Sequence, residues 1–75
     1  MGQPPLVSSR DVVIALCKVG FAHVRTKGSH HVLVRQDPAA TIVVPERQEV
    51  PRGTLRSILR VAGLSVEEFV ALLGR

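Results

Sequence analysis

The spacing of apolar residues changes period twice along this chain, and that change restricts the fold more than any single residue does. Val12, Val13, Leu16 and Cys17 recur at helical spacing. From Phe21 to Val44 the apolar residues fall into short β-branched runs separated by turn residues. Leu55, Ile58, Leu59 and Ala62 then stand at i, i+3, i+4 and i+7, an amphipathic helical stripe. Ser8 or Ser9 caps a first helix, with Asp11 in its first turn and Gly20 as its stop. Phe21–Lys27, His30–Arg35 and Thr41–Val44 read as strands, with turns at Gly28-Ser29 and Gln36–Ala40. After a polar loop from Glu46 to Val50, Pro51 or Gly53 opens a second helix that runs to Ala62 and stops at Gly63. Ser65-Val66-Glu67-Glu68 is a capping box for a last short helix, with Val66, Phe69, Val70 and Leu73 on its buried side.

The order α-β-β-β-α-α predicts an α+β domain in which helices cover one face of a three-stranded antiparallel meander. Double-stranded-RNA-binding domains share the α-β-β-β-α order, here with a short extra C-terminal helix. Residues 1–8, with two prolines and no periodicity, read as a disordered or extended tail, and residues 9–75 as one domain. A chain of 75 residues has no room for a second domain. A domain of this size buries only about 60% of its unfolded surface, so an active site in it would be shallow and suited to a polymer.

Composition narrows the partner. The formal charge of +4 favours a polyanion through counterion release, although a basic surface also serves solubility. Phe21 and Phe69 as the only aromatics argue against an RNA-recognition-motif sheet or an OB-fold, and nucleic acid would be held mainly by its backbone. The single Cys17 forms no internal disulfide, fits a reducing cytoplasm and reads as a core residue of the first helix. No apolar run approaches the ~20 residues that span a bilayer, and no leader pattern precedes the domain, so a cytoplasmic, non-membrane protein is expected.

Side chains alternate across a strand, so His30, Val32 and Val34 share one face and His31, Leu33 and Arg35 the other. The valine face is the natural core face, which turns His31 outward beside Arg35. A bulge after Gly28-Ser29 would reverse the assignment. Adjacent histidines in a strand cannot both reach one metal, and no His or Cys pair has ligand spacing, so neither metal nor cofactor is expected. An exposed histidine, with an unperturbed pKa near ~6.5, can take the proton of a ribose 2′-hydroxyl and set off strand cleavage. It can equally hydrogen-bond a phosphate or a turn, and the residues alone favour that plainer role. Arg52, Arg56 and Arg60 recur at i, i+4 and i+8, a ridge able to follow a phosphate backbone or simply a solvated face. The helix start at Gly53-Thr54 offers free amides for one phosphate.

Gly20-Phe21, Arg25, Gly28-Ser29-His30-His31, Val44-Pro45, Gly53-Thr54-Leu55-Arg56-Ser57-Ile58-Leu59-Arg60, Ala62-Gly63-Leu64-Ser65 and Glu67-Glu68-Phe69 together resemble the HicA-like (YcfA-like) mRNA interferase toxin family over residues 9–73. The resemblance implies a double-stranded-RNA-binding-like fold, ribosome-independent cleavage of mRNA and inhibition by a HicB-type antitoxin. It selects His31, the second residue after Gly-Ser, as the catalytic residue. Family members often carry a further histidine where this chain has Arg47. Arginine replaces a phosphate-binding histidine well, but it cannot donate a proton. On this reading His31 is the general base, Ser29 and the turn amides place the phosphate, and Arg25, Lys27 and Arg35 balance developing charge. Arg47, Arg52, Arg56 and Arg60 hold the RNA. The expected partners are mRNA and a HicB-like antitoxin, with at most weak self-association. A non-catalytic RNA-binding module and a relic that only binds its antitoxin are the alternatives.

Overall fold

The computed structural model describes residues 3–74. Six elements follow the expected order: α1 (Ser9–Lys18), β1 (Ala22–Lys27), β2 (His30–Gln36), β3 (Ala39–Pro45), α2 (Arg52–Ala62) and α3 (Val66–Leu73). The strands form one antiparallel sheet in the order β1-β2-β3, and the helices lie against one of its faces. The second hairpin turns over Asp37-Pro38 alone, because Ala39 and Ala40 pair with Gln36 and Arg35 instead of joining the loop.

Each helix starts and stops for a local reason. Ser8 Oγ accepts the Asp11 N–H at 3.1 Å while the Asp11 carboxylate accepts the Ser8 N–H at 3.3 Å, a reciprocal cap for α1. Ser65 and Glu68 repeat the arrangement at α3. Beyond α2, Gly63 takes φ +76°, the left-handed conformation that lets the Leu64 N–H reach back to the Leu59 carbonyl at 2.9 Å.

Leu55, Ile58, Leu59 and Ala62 are all buried, as their spacing predicts. The buried stripe of α1 differs from expectation. It runs through Val12, Ala15 and Leu16, and Cys17 is exposed. Ala15 was the overlooked position: α1 packs against α3, and a small buried residue there lets two helices approach closely.

The face of the sheet that meets the helices is also the reverse of the expected one. Leu33 is fully buried and pairs with buried Ile42, while Val32 and Val34 are only half-buried and face away. Both faces of β2 are apolar, so alternation by itself did not choose between them. The bulkier set, Leu33 with Ile42 and Val44, fills the space beneath the helices better than the valines. Arg35 and His31 therefore lie on the helix side, one at each end of Leu33.

Residues 3–8 form no helix or strand, yet Pro4 and Val7 are buried. The Val50 N–H donates to the Val7 carbonyl at 2.7 Å, and Arg52 Nε donates to the Pro4 carbonyl at 2.9 Å. Ser9, itself buried, ties to Arg47 twice: its N–H donates to the Arg47 carbonyl at 3.0 Å, and its Oγ accepts the Arg47 N–H at 3.3 Å. These bonds hold the β3–α2 connection against the segment before α1.

Candidate active site

His31 sits where the helix layer stops covering the sheet. Leu33, two residues on, is sealed beneath the helices, but 19% of the His31 side chain remains open to solvent. The ring is thus on the helix side of the sheet, not on its uncovered face, and still reaches water. Arg35, two residues beyond Leu33, is committed elsewhere. Its guanidinium lies 4.5 Å over the Phe21 ring and donates to the Pro38 carbonyl at 2.9 Å and the Ala62 carbonyl at 3.2 Å. It serves the last turn of α2, where unpaired carbonyls favour a cation.

A bulge in β1 completes the surroundings of His31. His23 pairs with Leu33, Arg25 with Val32 and Thr26 with His31, leaving Val24 as the extra residue. In an unbroken strand, residues three apart point to opposite faces. The one-residue insertion resets that parity, so His23 and Thr26 both project to the helix side beside His31. Thr26 Oγ1 then stands 2.9 Å from His23 Nε2 and 3.1 Å from His31 Nδ1. The two imidazoles meet edge to face with centroids 5.1 Å apart. On its other side, His31 Nε2 pairs with Glu46 Oε1. The Glu46 N–H donates to the Ser29 carbonyl at 2.7 Å, which anchors this acid beside the Gly28-Ser29 turn.

The partners fix the protons. A carboxylate only accepts, so a neutral His31 carries its hydrogen on Nε2 and leaves Nδ1 as an acceptor. The Thr26 hydroxyl donates to that Nδ1, and Thr26 Oγ1 in turn accepts from His23 Nε2–H. If His31 gains a second proton, Nδ1 becomes a donor and the hydroxyl must turn toward His23. The chain Glu46–His31–Thr26–His23 therefore has two consistent directions.

His31, His23 and Glu46 line a surface cleft of about 310 Å³ together with Arg10, Val13 and Ile14 of α1. Arg10 is exposed and supplies the cleft with a cation. Arg25 and Lys27 are not part of it, because their pairing with Val32 and His30 puts them on the opposite face. His30 is exposed on that opposite face. Ser29 is exposed in the turn, and Arg47 is exposed beyond Glu46. Arg52, Arg56 and Arg60 are exposed along α2, where Arg56 and Arg60 border a separate shallow groove beside Leu64 and Val66. Sequence reasoning missed Arg10, His23, Thr26 and Glu46. Regular alternation hides the shared face of His23 and Thr26, and the pairing of Glu46 depends on a loop.

Among the described residues, no group of three His, Cys, Asp or Glu side chains stands close enough to hold a metal ion. No helix among them is long and apolar enough to cross a membrane. The family model described as the HicA toxin of bacterial toxin–antitoxin matches residues 9–64, a span that takes in α1, the whole sheet and α2. No individually curated protein matches the chain.

Proposed function

We propose that this chain, which belongs to the HicA toxin family of bacterial toxin–antitoxin systems, acts in the cytoplasm as a ribosome-independent mRNA endonuclease with His31 as its general base. The observation that carries the reading is a partly exposed imidazole, gripped at both nitrogens, in a cleft that also holds an exposed arginine. Glu46 lines the cleft and Thr26 does not, so Nε2 is the nitrogen that faces an incoming strand. A phosphate drawn in by Arg10 repels the Glu46 carboxylate and uncovers Nε2. With its hydrogen shifted to Nδ1 and held by Thr26, His31 takes the 2′-hydroxyl proton at Nε2. The 2′-oxygen attacks the adjacent phosphorus, and the bond to the 5′-oxygen breaks. The products are a 2′,3′-cyclic phosphate and a 5′-hydroxyl, with no water or cofactor consumed.

Proton transfer of this kind contributes about 10²–10⁴-fold, enough for a toxin that disables transcripts slowly. Ser29, whose carbonyl holds the Glu46 N–H, and Arg47, next to Glu46 in the chain, contact the same strand, and Arg56 and Arg60 hold a more distant stretch of it, while Arg52 is engaged by the Pro4 carbonyl. Arg25 and Lys27 contact only a strand that passes around the β1 edge. The toxin's partner is an antitoxin; we take it to be HicB-like, with an acidic surface that covers Arg10 and His31.

The test is end-labelled RNA incubated in EDTA with wild type or His31→Ala, each checked for folding by circular dichroism. Wild type should produce cyclic-phosphate ends, and the variant should be at least about 10²-fold slower. A folded His31→Ala protein that cleaves at the wild-type rate removes the base from the mechanism.

A further inference from the structure

We infer that His23 is the proton partner of His31: it accepts the proton that His31 acquires, through the Thr26 hydroxyl, and delivers it to the departing 5′-oxygen. This rests on the reading of His31 as the base and goes beyond it, because a base alone leaves the leaving group unprotonated.

Three independent features of the structure converge on His23. The bulge at Val24 places it on the same face as His31, which a regular strand would forbid with Thr26 between them at this spacing. A single hydroxyl bridges the two rings at 2.9 and 3.1 Å, both ordinary hydrogen-bond lengths. His23 also lines the RNA-facing cleft, and among the described residues its Nδ1 has no hydrogen-bond partner. The cleft holds no other neutral acid that can cycle a proton. Arg10 stays charged, and Glu46 is already the acceptor of His31.

The steps balance. Before reaction, His31 Nδ1–H donates to Thr26 Oγ1, and the Thr26 O–H donates to His23 Nε2, with the second His23 hydrogen site on Nδ1 occupied. The 2′-hydroxyl proton arrives at His31 Nε2. The Nδ1 proton then moves to Thr26 Oγ1 as the Thr26 proton moves to His23 Nε2. His23, now an imidazolium, releases its Nδ1 proton to the 5′-oxygen as the P–O bond breaks. Both rings finish neutral with hydrogen on Nε2, the arrangement that re-forms the pair with Glu46. One proton enters from the 2′-hydroxyl and one leaves on the 5′-hydroxyl. Exchange of one proton at each ring with water restores the starting tautomers. Thr26 is a relay and positioning residue; it does not touch the RNA.

The experiment compares ordinary RNA with RNA carrying a single 5′-bridging sulfur at the cleaved linkage, whose thiolate leaves without protonation. His23→Gln should cleave ordinary RNA about 10²-fold more slowly than wild type and the sulfur-bridged RNA at close to the wild-type rate, whereas Thr26→Val, which also loses the acceptor for the His31 Nδ1–H, should slow both. Thr26→Ser, which keeps the hydroxyl, should restore cleavage of ordinary RNA. His31→Ala should fail on both substrates, which keeps failure of the base separate from failure of the relay. Equal slowing of His23→Gln on both substrates, or no slowing on either, overturns the inference. Imidazole ¹⁵N spectra of the RNA-free protein give a readout independent of turnover. Thr26→Val should shift the His31 ring nitrogens, and unchanged signals also overturn it.

Discussion

Replacement of Phe69 by alanine should come close to unfolding the domain, although this residue lies in the short helix beyond the family match. Phe69 has no accessible surface and closes the core from the α3 side, against α1. Truncating a buried phenylalanine to alanine costs about 3–5 kcal/mol. At ~0.05–0.15 kcal/mol per residue, the total stability of a chain this long is about 4–11 kcal/mol. The loss is therefore about a quarter or more of everything that holds the fold. With each kcal/mol worth about 4–8 °C in a domain of this size, the melting temperature should fall by about 12–40 °C. Thermal and urea melts followed by far-ultraviolet circular dichroism measure both quantities. Val61→Ala, at a half-exposed position on α2, is the control and should move stability by no more than about 0.5 kcal/mol. A Phe69→Ala protein within about 1 kcal/mol of wild type would mean that α3 is an appendage, and that α1 does not need it to present Arg10, Val13 and Ile14 to the cleft.

Two further outcomes follow from side-chain placement. Arg56→Glu should weaken RNA binding and reduce the slope of log affinity against log salt by about 0.7 per lost phosphate contact; an unchanged slope removes the α2 ridge from the RNA interface. Cys17 is exposed, so it should react with a thiol reagent in native buffer without denaturant, and protection lifted only by denaturant would contradict that placement.

The helices were legible because each carries its own punctuation. Ser8 with Asp11, Ser65 with Glu68, and Gly63 mark boundaries through short-range hydrogen bonds and one backbone dihedral, all readable within a few residues. The stripe from Leu55 to Ala62 was legible for a similar reason: one face is apolar and the other is not. The strands gave no such contrast. Val32 and Val34 oppose Leu33, so only the space available under the helices decides which side is inside, and that is a three-dimensional quantity. The same ambiguity carried His31 to the wrong face in the sequence reading while leaving its identity untouched. Arg35 shows the limit of charge counting. Along with Lys18, which donates to the Leu72 carbonyl at 2.7 Å, and Arg52, it is occupied by backbone oxygens, so formal charge overstates what RNA can use. The surroundings of His31 were illegible because they depend on one unpaired residue in β1 and on a loop. Neither leaves a periodic trace.

The stitching of residues 4–9 to residues 47–52 ranks the ways in which this protein comes apart. Two backbone bonds and two side-chain bonds between irregular segments open at lower free energy than the paired strands of the sheet. Glu46 leads into that seam from the end of β3 and is itself tied to the Ser29 carbonyl, and His31, His23 and Thr26 belong to the sheet. Warming should therefore release the 47–52 connection before the strands separate, so that the protein loses this clasp in one transition and its architecture in a later one.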